Sequence, residues 1–299
     1  LMSVYNGEAY LAEAVDSILA QSFRDFEFVI INDGSTDGTS ALLKNYAAQD
    51  SRIVLIEQEN TGLVGALNNG LAVARAPSIA RMDADDIALP DRLARQHDYL
   101  EKHPDIAVLG GAITLIDQTG QRIRDISYPQ GQTEISAFIK KGSPLAHPAV
   151  MMRTPIIRAL GGYRAAYRHA EDYALWLRVF EHHRLDNLPD LLLRYRQHDN
   201  KVGVRHATQQ GLATTVARVT HRLRVSGRAD PTANMTALDP NTISRQLGLT
   251  PDEESAFNLE VLNVMHAALV SAENWAELDG HFTRSMPASA AFCPASNWD

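Results

Sequence analysis

An α/β fold, with a mostly parallel sheet covered by helices on both faces and a helical tail behind it, is predicted from three features of the chain. Strand-like and helix-like segments alternate four times over the first hundred or so residues, in units of about 25 residues, as βα repeats do. The polar groups Tyr5-Asn6, Asp33 and Asp83 to Asp86 each follow a strand-like run, and open parallel sheets bind ligands at the carboxyl ends of their strands. Beyond Val202 the pattern is nearly all helical.

Residues 1–4 read as the end of a strand, with Asn6-Gly7 as its turn, and 10–20 carry Leu11, Val15, Ile18 and Leu19 at helical spacing. Residues 26–31 form a continuous β-branched and aromatic run, the mark of a buried strand. A turn-rich loop over 32–39 leads into a helix over 40–49. A third strand is expected over 53–56, a loop at Asn60-Thr61-Gly62, a helix over 63–74 and a fourth strand over 79–82. After a helix over 90–102 the pattern changes: a hairpin (108–116 and 122–127), a helix (133–141), a strand (149–153) and a short helix (155–160). A helix over 173–182 and a strand over 188–195 close the α/β region. Helices are then expected over 205–225, 253–270 and 275–284, with 230–239 and 285–299 irregular.

The 299 residues are 45% hydrophobic and 21% charged, enough to bury a sizeable core. The formal charge of −8 argues against a nucleic-acid partner. Six Lys/Arg and no Asp/Glu lie in 201–228, whereas 229–299 holds two basic and ten acidic residues, so a composition boundary falls near Gly227. The basic stretch admits peripheral contact with an anionic membrane surface, shielding of a diphosphate, or a solvated helix face paired with the acidic tail. Cys293 is the only cysteine, which excludes an intrachain disulfide and fits a reducing compartment, so a cytoplasmic location is expected, peripheral to the inner face of the membrane. No run approaches the ~18 apolar residues of a membrane span. The chain opens inside an apolar segment, so a trimmed amino terminus is expected.

Arg81-Met82-Asp83-Ala84-Asp85-Asp86 ends an apolar run in three carboxylates. Like charges this close raise one another's pKa unless a cation joins them. Mg²⁺ typically takes one or two carboxylates plus substrate phosphates, so the stretch is a candidate metal site; an acidic loop before a helix is the plainer alternative.

Together with Ser3-Val4-Tyr5-Asn6, Ile31 to Asp37, Asn60-Thr61-Gly62 and Glu171 to Trp176, this motif resembles family 2 glycosyltransferases in order and spacing, over about residues 1 to 200. The resemblance implies a GT-A fold, Rossmann-like, with a nucleotide-binding half (1–104), an acceptor half (105–200) and a helical extension (201–299). It implies inverting transfer of a hexosyl or N-acetylhexosaminyl group from a nucleotide-diphosphate sugar, UDP favoured, to a glycan or lipid-linked acceptor, with Mn²⁺ or Mg²⁺. Asp85 is then the first metal ligand, Asp83 a second or a ribose contact, and His198 a further ligand or diphosphate contact. Asp86 supports the ligands or caps the next helix. Asp33 faces the base, unless it only forms an Asx turn, and Tyr5 stacks on the base, unless it is core. Ser3, Asn6, Glu8, Asn60, Gly62, Asn68, Arg81 and Ala84 complete the expected donor-binding set. Glu8 is alternatively a first-turn acid.

An acceptor hydroxyl has a high pKa, so direct displacement needs a carboxylate to take its proton. Asp172 is the candidate base and Glu171 the alternate, with helix N-capping as the plain reading of the pair. Arg196 is read as neutralising phosphate or as a structural ion pair, and His147 as lining the acceptor side or as structural. One departure stands out: relatives carry Arg-Asn in the third helix where this chain has Leu67-Asn68, with Arg81 the nearest substitute. The tail is open to docking a partner, forming a homo-oligomer or closing over the acceptor. Two other functions are weighed: a sugar-nucleotide nucleotidyltransferase, whose Gly-rich basic loop is missing from residues 3–10, and a non-catalytic binding protein that keeps the fold.

Overall fold

The computed structural model describes residues 1–198 and 207–278, with side chains over 1–198 and 209–264. The chain divides into two compact units. The first holds Leu1–Ser136, Pro144–Tyr163 and His182–His198; the second holds Ala137–Ser143, Arg164–Glu181 and the described residues beyond. The expected elements at 201–206 and beyond 278, with Cys293, lie outside the described residues.

In the first unit, β1 (Met2–Val4), α1 (Leu11–Leu19), β2 (Phe28–Asp33), α2 (Thr39–Gln49), β3 (Ile53–Gln58) and α3 (Gly62–Val73) are the expected βα repeats. Their sheet is parallel because each strand is followed by a helical crossover. Leu11, Ala14, Val15 and Ile18 are the buried face of α1, the i, i+3, i+4, i+7 stripe of an amphipathic helix.

The run expected as one fourth strand is two. β4 (Ser78–Ala80) pairs antiparallel with β9 (Met151–Arg153), while β5 (Met82–Asp83) pairs parallel with β1, giving the order β3-β2-β1-β5. The chain changes sheets at Arg81, whose N–H donates to the Val150 carbonyl (2.9 Å). Hydrophobic patterning reports burial, not the partner strand, so it could not show this division.

After β6 (Ile87–Ala88) and α4 (Arg92–Lys102) comes β7 (Ile106–Ile116), buried along its whole length. β7 forms the expected hairpin with β8 (Arg122–Ile126), whose turn is closed by Asp117 accepting from Thr119 and Gln121 N–H groups. α5 (Gly131–Phe138) follows; a 3₁₀ turn, His147–Ala149, then precedes β9, and α6 (Thr154–Ala159) comes after it. β10 (Arg184–Arg196) lies parallel to β7 and completes a second, mixed sheet in the order β4-β9-β7-β10-β6.

In the second unit, α7 (Glu171–Phe180) is joined by α8 (Ala207–Val225), α9 (Ile243–Gln246) and α10 (Pro251–Leu278). The break expected after 270 is absent, because 271–274 (Ser-Ala-Glu-Asn) offers neither Pro nor Gly to stop a helix. Tyr167 Oη meets Thr220 and Thr232 hydroxyls (3.0 and 2.7 Å), Glu181 pairs with His221 and Arg224 (2.8 and 2.7 Å), and Gln210 donates to the His169 carbonyl (3.0 Å). Helix α8 is therefore built into the unit that carries α7. Arg218 and Arg222 pair with Glu260, and Arg228 with Glu253. With Arg224 on Glu181 and Asp230, the described arginines of the basic stretch are matched within the chain, and Arg218 and Arg224 are largely buried rather than on a solvated face.

Burial opposes ionisation of Asp230, but hydrogen bonds from Arg164 and Thr232 and the charge of Arg224 outweigh it and hold the carboxyl at about 2, below its ordinary 3.8. A depressed carboxyl stabilises the fold fully above the unfolded value and loses that contribution as pH falls through the folded one. Thermal melts are therefore expected to lose stability from about pH 4 down to about pH 2, and Asp230→Asn to flatten the pH dependence over that window.

Candidate active site

The loop after β1 turns at Asn6, whose φ of 52° lies in the left-handed region that Asn tolerates. This loop is stitched to the loop after β2. Asn6 N–H donates to Ser35 Oγ (3.0 Å), Thr36 N–H to Asn6 Oδ1 (2.8 Å), and Gly7 N–H to Thr39 Oγ1 (2.9 Å). The Glu8 carboxylate accepts from Gly38 N–H (2.9 Å) at the start of α2, so Glu8 serves that helix and not the first turn of α1. Gly34, at φ 75°, lets the loops close: a Cβ there would lie 2.8 Å from the Asn60 nitrogen.

Asp33 is buried, and its Oδ1 accepts from Gln58 Nε2 (2.7 Å) and Thr61 N–H (2.9 Å). The Asx-type contact expected of Asp33 belongs to Asn32, which accepts from Ser35 N–H (3.3 Å). Tyr5 is 53% exposed, so its ring is not core. Ser3 pairs across the sheet with Ile31 and Asp83. Asn60 Oδ1 accepts from Gly62 N–H (3.2 Å), and Gly62 itself is at φ 76°. Of the two residues that hold Asp33, Thr61 lies in the Asn60-Thr61-Gly62 motif, whereas Gln58 carries no sequence signal.

At the end of β5, ligand atoms of Asp83, Asp85 and Asp86 all lie within 4.8 Å of one another. Asp85 Oδ2 also meets His198 Nε2 (2.8 Å). Hard carboxylate oxygens with one imidazole suit Mn²⁺ or Mg²⁺. Asp83 and Asp85 are partly open, whereas Asp86 is fully buried and accepts from the Arg196 backbone N–H (3.0 Å). Asp86 does not cap the next helix; that position is Asp91. Ala84 packs against the core between them.

Arg81, the nearest substitute for the family's helix arginine, is 2% exposed and hydrogen-bonded to Asp83. Leu67, standing at that arginine's place, is core. The Asn68 amide is used in both directions on the Tyr163 backbone, accepting from its N–H (2.9 Å) and donating to its carbonyl (2.8 Å). Both ends of the Asn68 side chain thus hold the backbone at Tyr163. Tyr163 Oη in turn meets His147 Nε2 (2.9 Å), and burial, with the Arg81 charge, pushes the His147 imidazole well below its usual value.

In the second unit, Glu171 and Asp172 are the first residues of α7. The N-cap is Ala170, so neither carboxylate caps by position; both lie in the first turn, where the helix dipole favours negative charge. Glu171 is buried and Asp172 half-buried. Trp176 is fully buried core, as expected.

Residues 1–161 match the model of Glycosyl transferase family 2. The chain belongs to that family. EpsE of Bacillus subtilis (strain 168), which carries a glycosyltransferase name, is 41% identical over 204 residues, 66% of this chain and 72% of that protein. The O-antigen biosynthesis glycosyltransferase WbnJ of Escherichia coli is 35% identical over 203 residues, 67% of this chain and 79% of WbnJ. The fold is that of S. aureus TarS 1–349 with UDP-GlcNAc, at a TM-score of 0.60 and 16% identity over 95% of this chain and 92% of that one. This glycosyltransferase thus has the GT-A fold expected from its motifs, and no described helix is long and apolar enough to cross a membrane.

If Asn68 serves the fold, Asn68→Ala costs about 1–3 kcal/mol of stability, read by denaturant titration, and leaves nucleotide affinity unchanged.

Proposed function

We propose that this glycosyltransferase moves a sugar, with inversion, from a nucleotide-diphosphate sugar to a hydroxyl of a glycan or lipid-linked acceptor. The observation that carries the reading is the group Asp83, Asp85, Asp86 and His198 at the end of β5, in the same unit as Asp33 and the exposed ring of Tyr5. Asp33 accepts a base N–H, Tyr5 stacks on the base, and Asp83 and Asp85 with His198 would hold Mn²⁺ or Mg²⁺. That cation would act as a Lewis acid toward the diphosphate leaving group. UDP is the favoured nucleotide by family resemblance and by the donor named for TarS.

In the step itself the acceptor oxygen attacks the anomeric carbon from the face opposite the diphosphate. The new carbon–oxygen bond forms as the sugar–phosphate bond breaks, the nucleoside diphosphate leaves, and the hydroxyl proton passes to Asp172. The transition state has oxocarbenium character, as in glycoside hydrolysis. A glycan or lipid-linked acceptor is supported by the O-antigen role in the name of WbnJ.

A panel of nucleotide sugars screened by thermal shift with Mn²⁺ present tests donor binding, because only a ligand favouring the native state raises the melting temperature. UDP-sugars are expected to shift the melt and to turn over with a suitable acceptor. Asp172→Asn is expected to lower kcat by about 10²–10⁴-fold while keeping the donor-induced shift. Turnover at the wild-type rate would rule out Asp172 as base, and a donor shift without transfer to any acceptor would favour the binding-protein reading.

A further inference from the structure

Arg196 is 1% exposed, and each nitrogen of its guanidinium group has a partner. Nε donates to the Asp85 carbonyl (2.9 Å), Nη1 to the Gln118 carbonyl (3.1 Å) and Nη2 to Glu13 Oε2 on α1 (2.6 Å). Its backbone N–H holds Asp86. The guanidinium also lies 4.5 Å over the ring of Tyr10, and the other neighbour of that ring is the His198 imidazole, centroids 5.4 Å apart. His198 closes the circuit on the Asp85 carboxylate.

We propose that Tyr10, Glu13 and Arg196 form a strap that positions Asp85 and His198 for the cation. The inference rests on the metal reading above and adds three residues that touch neither donor nor acceptor in it. Its physical basis is twofold. Asp85 is gripped at its carbonyl from behind and at its carboxylate by His198, so the loop arrives with its ligands already oriented. Groups that orient metal ligands from outside typically change metal affinity 10–100-fold when removed. Arg196 is also a permanent positive charge beside a cation site and would compete for Asp85 and Asp86. Glu13, whose side chain is 61% exposed, neutralises it from the far side and leaves those carboxylates their charge.

The test is Mn²⁺ titration of the full chain without nucleotide, followed by the electron paramagnetic resonance of free Mn²⁺. Glu13→Gln is expected to bind Mn²⁺ about tenfold more weakly than the unaltered protein. Tyr10→Leu, which removes the ring between the two groups but keeps Glu13, is expected to behave the same way, with both variants folded by circular dichroism at the temperature of the titration. In a His198→Ala background the Glu13→Gln loss is expected to shrink below about twofold, because coupled residues are non-additive. Mn²⁺ affinity equal to that of the unaltered protein, or a loss fully additive with His198→Ala, would overturn the strap while leaving the metal reading standing. No Mn²⁺ uptake by the unaltered protein would remove the metal reading, and the strap with it.

Discussion

Buried arginine is the constraint around which the first unit is arranged. Arg81, Arg92 and Arg196 are all fully buried, and a charge so placed is tolerated only when it is paired and hydrogen-bonded. Arg92 donates to the carbonyls of Arg81 and Val150 and to Gln96, yet burial and the nearby Arg81 still push its guanidinium down to about 9, with Asp86 opposing. Arg81 goes the other way: burial lowers it, but Asp83, Tyr163 and Asp86 more than compensate. The motif carboxylates therefore have two employers. Asp86 is committed to the interior, Asp83 both pairs with Arg81 and stays partly exposed, and Asp85, held by His198, is partly exposed as well.

That division follows from the change of sheet at Arg81. Arg81, between β4 and β5, is buried, and a buried charge needs an anion close at hand. Asp83, two residues on, supplies it. The same crossing ends β5 after two residues and frees Ala84 to Asp86 to form a loop, which β10 then holds through Arg196. An acidic loop with no such tether would sample many conformations, and gathering its carboxylates around a cation would cost that entropy.

The second unit is organised by a different polar network. Arg178 is nearly buried, and desolvation with the charges of Arg164 and Arg224 pushes it down to about 10. Glu181 and Asp230 balance these cations, and they do so through α8 and the segment after it. The helices behind residue 206 are thus structural partners of α7, the helix that begins with Glu171 and Asp172, and are not an appendage.

The βα repeats, the hairpin and the ordered motifs were legible in the sequence because each is a local signal: strand and helix periods, turn residues, and acidic groups at a strand's end. The split of 79–82 and the single helix over Pro251–Leu278 were not, since both depend on what the segment packs against. Asn68 shows the same limit at the site. Its identity is that of a hydrogen-bonding residue, but whether the partner is a ligand or the Tyr163 backbone is a fact of position. Glu13 and Tyr10 look like ordinary helix-start residues until Arg196, 183 residues from Glu13, is brought beside them. By itself the sequence determined the fold class, the family and which residue types could do the chemistry, because these are written in composition and short-range order. The tertiary structure alone decided which partner each carboxylate of the acidic motif meets and how far it is exposed, because charge pairing is set by distance in space and not along the chain.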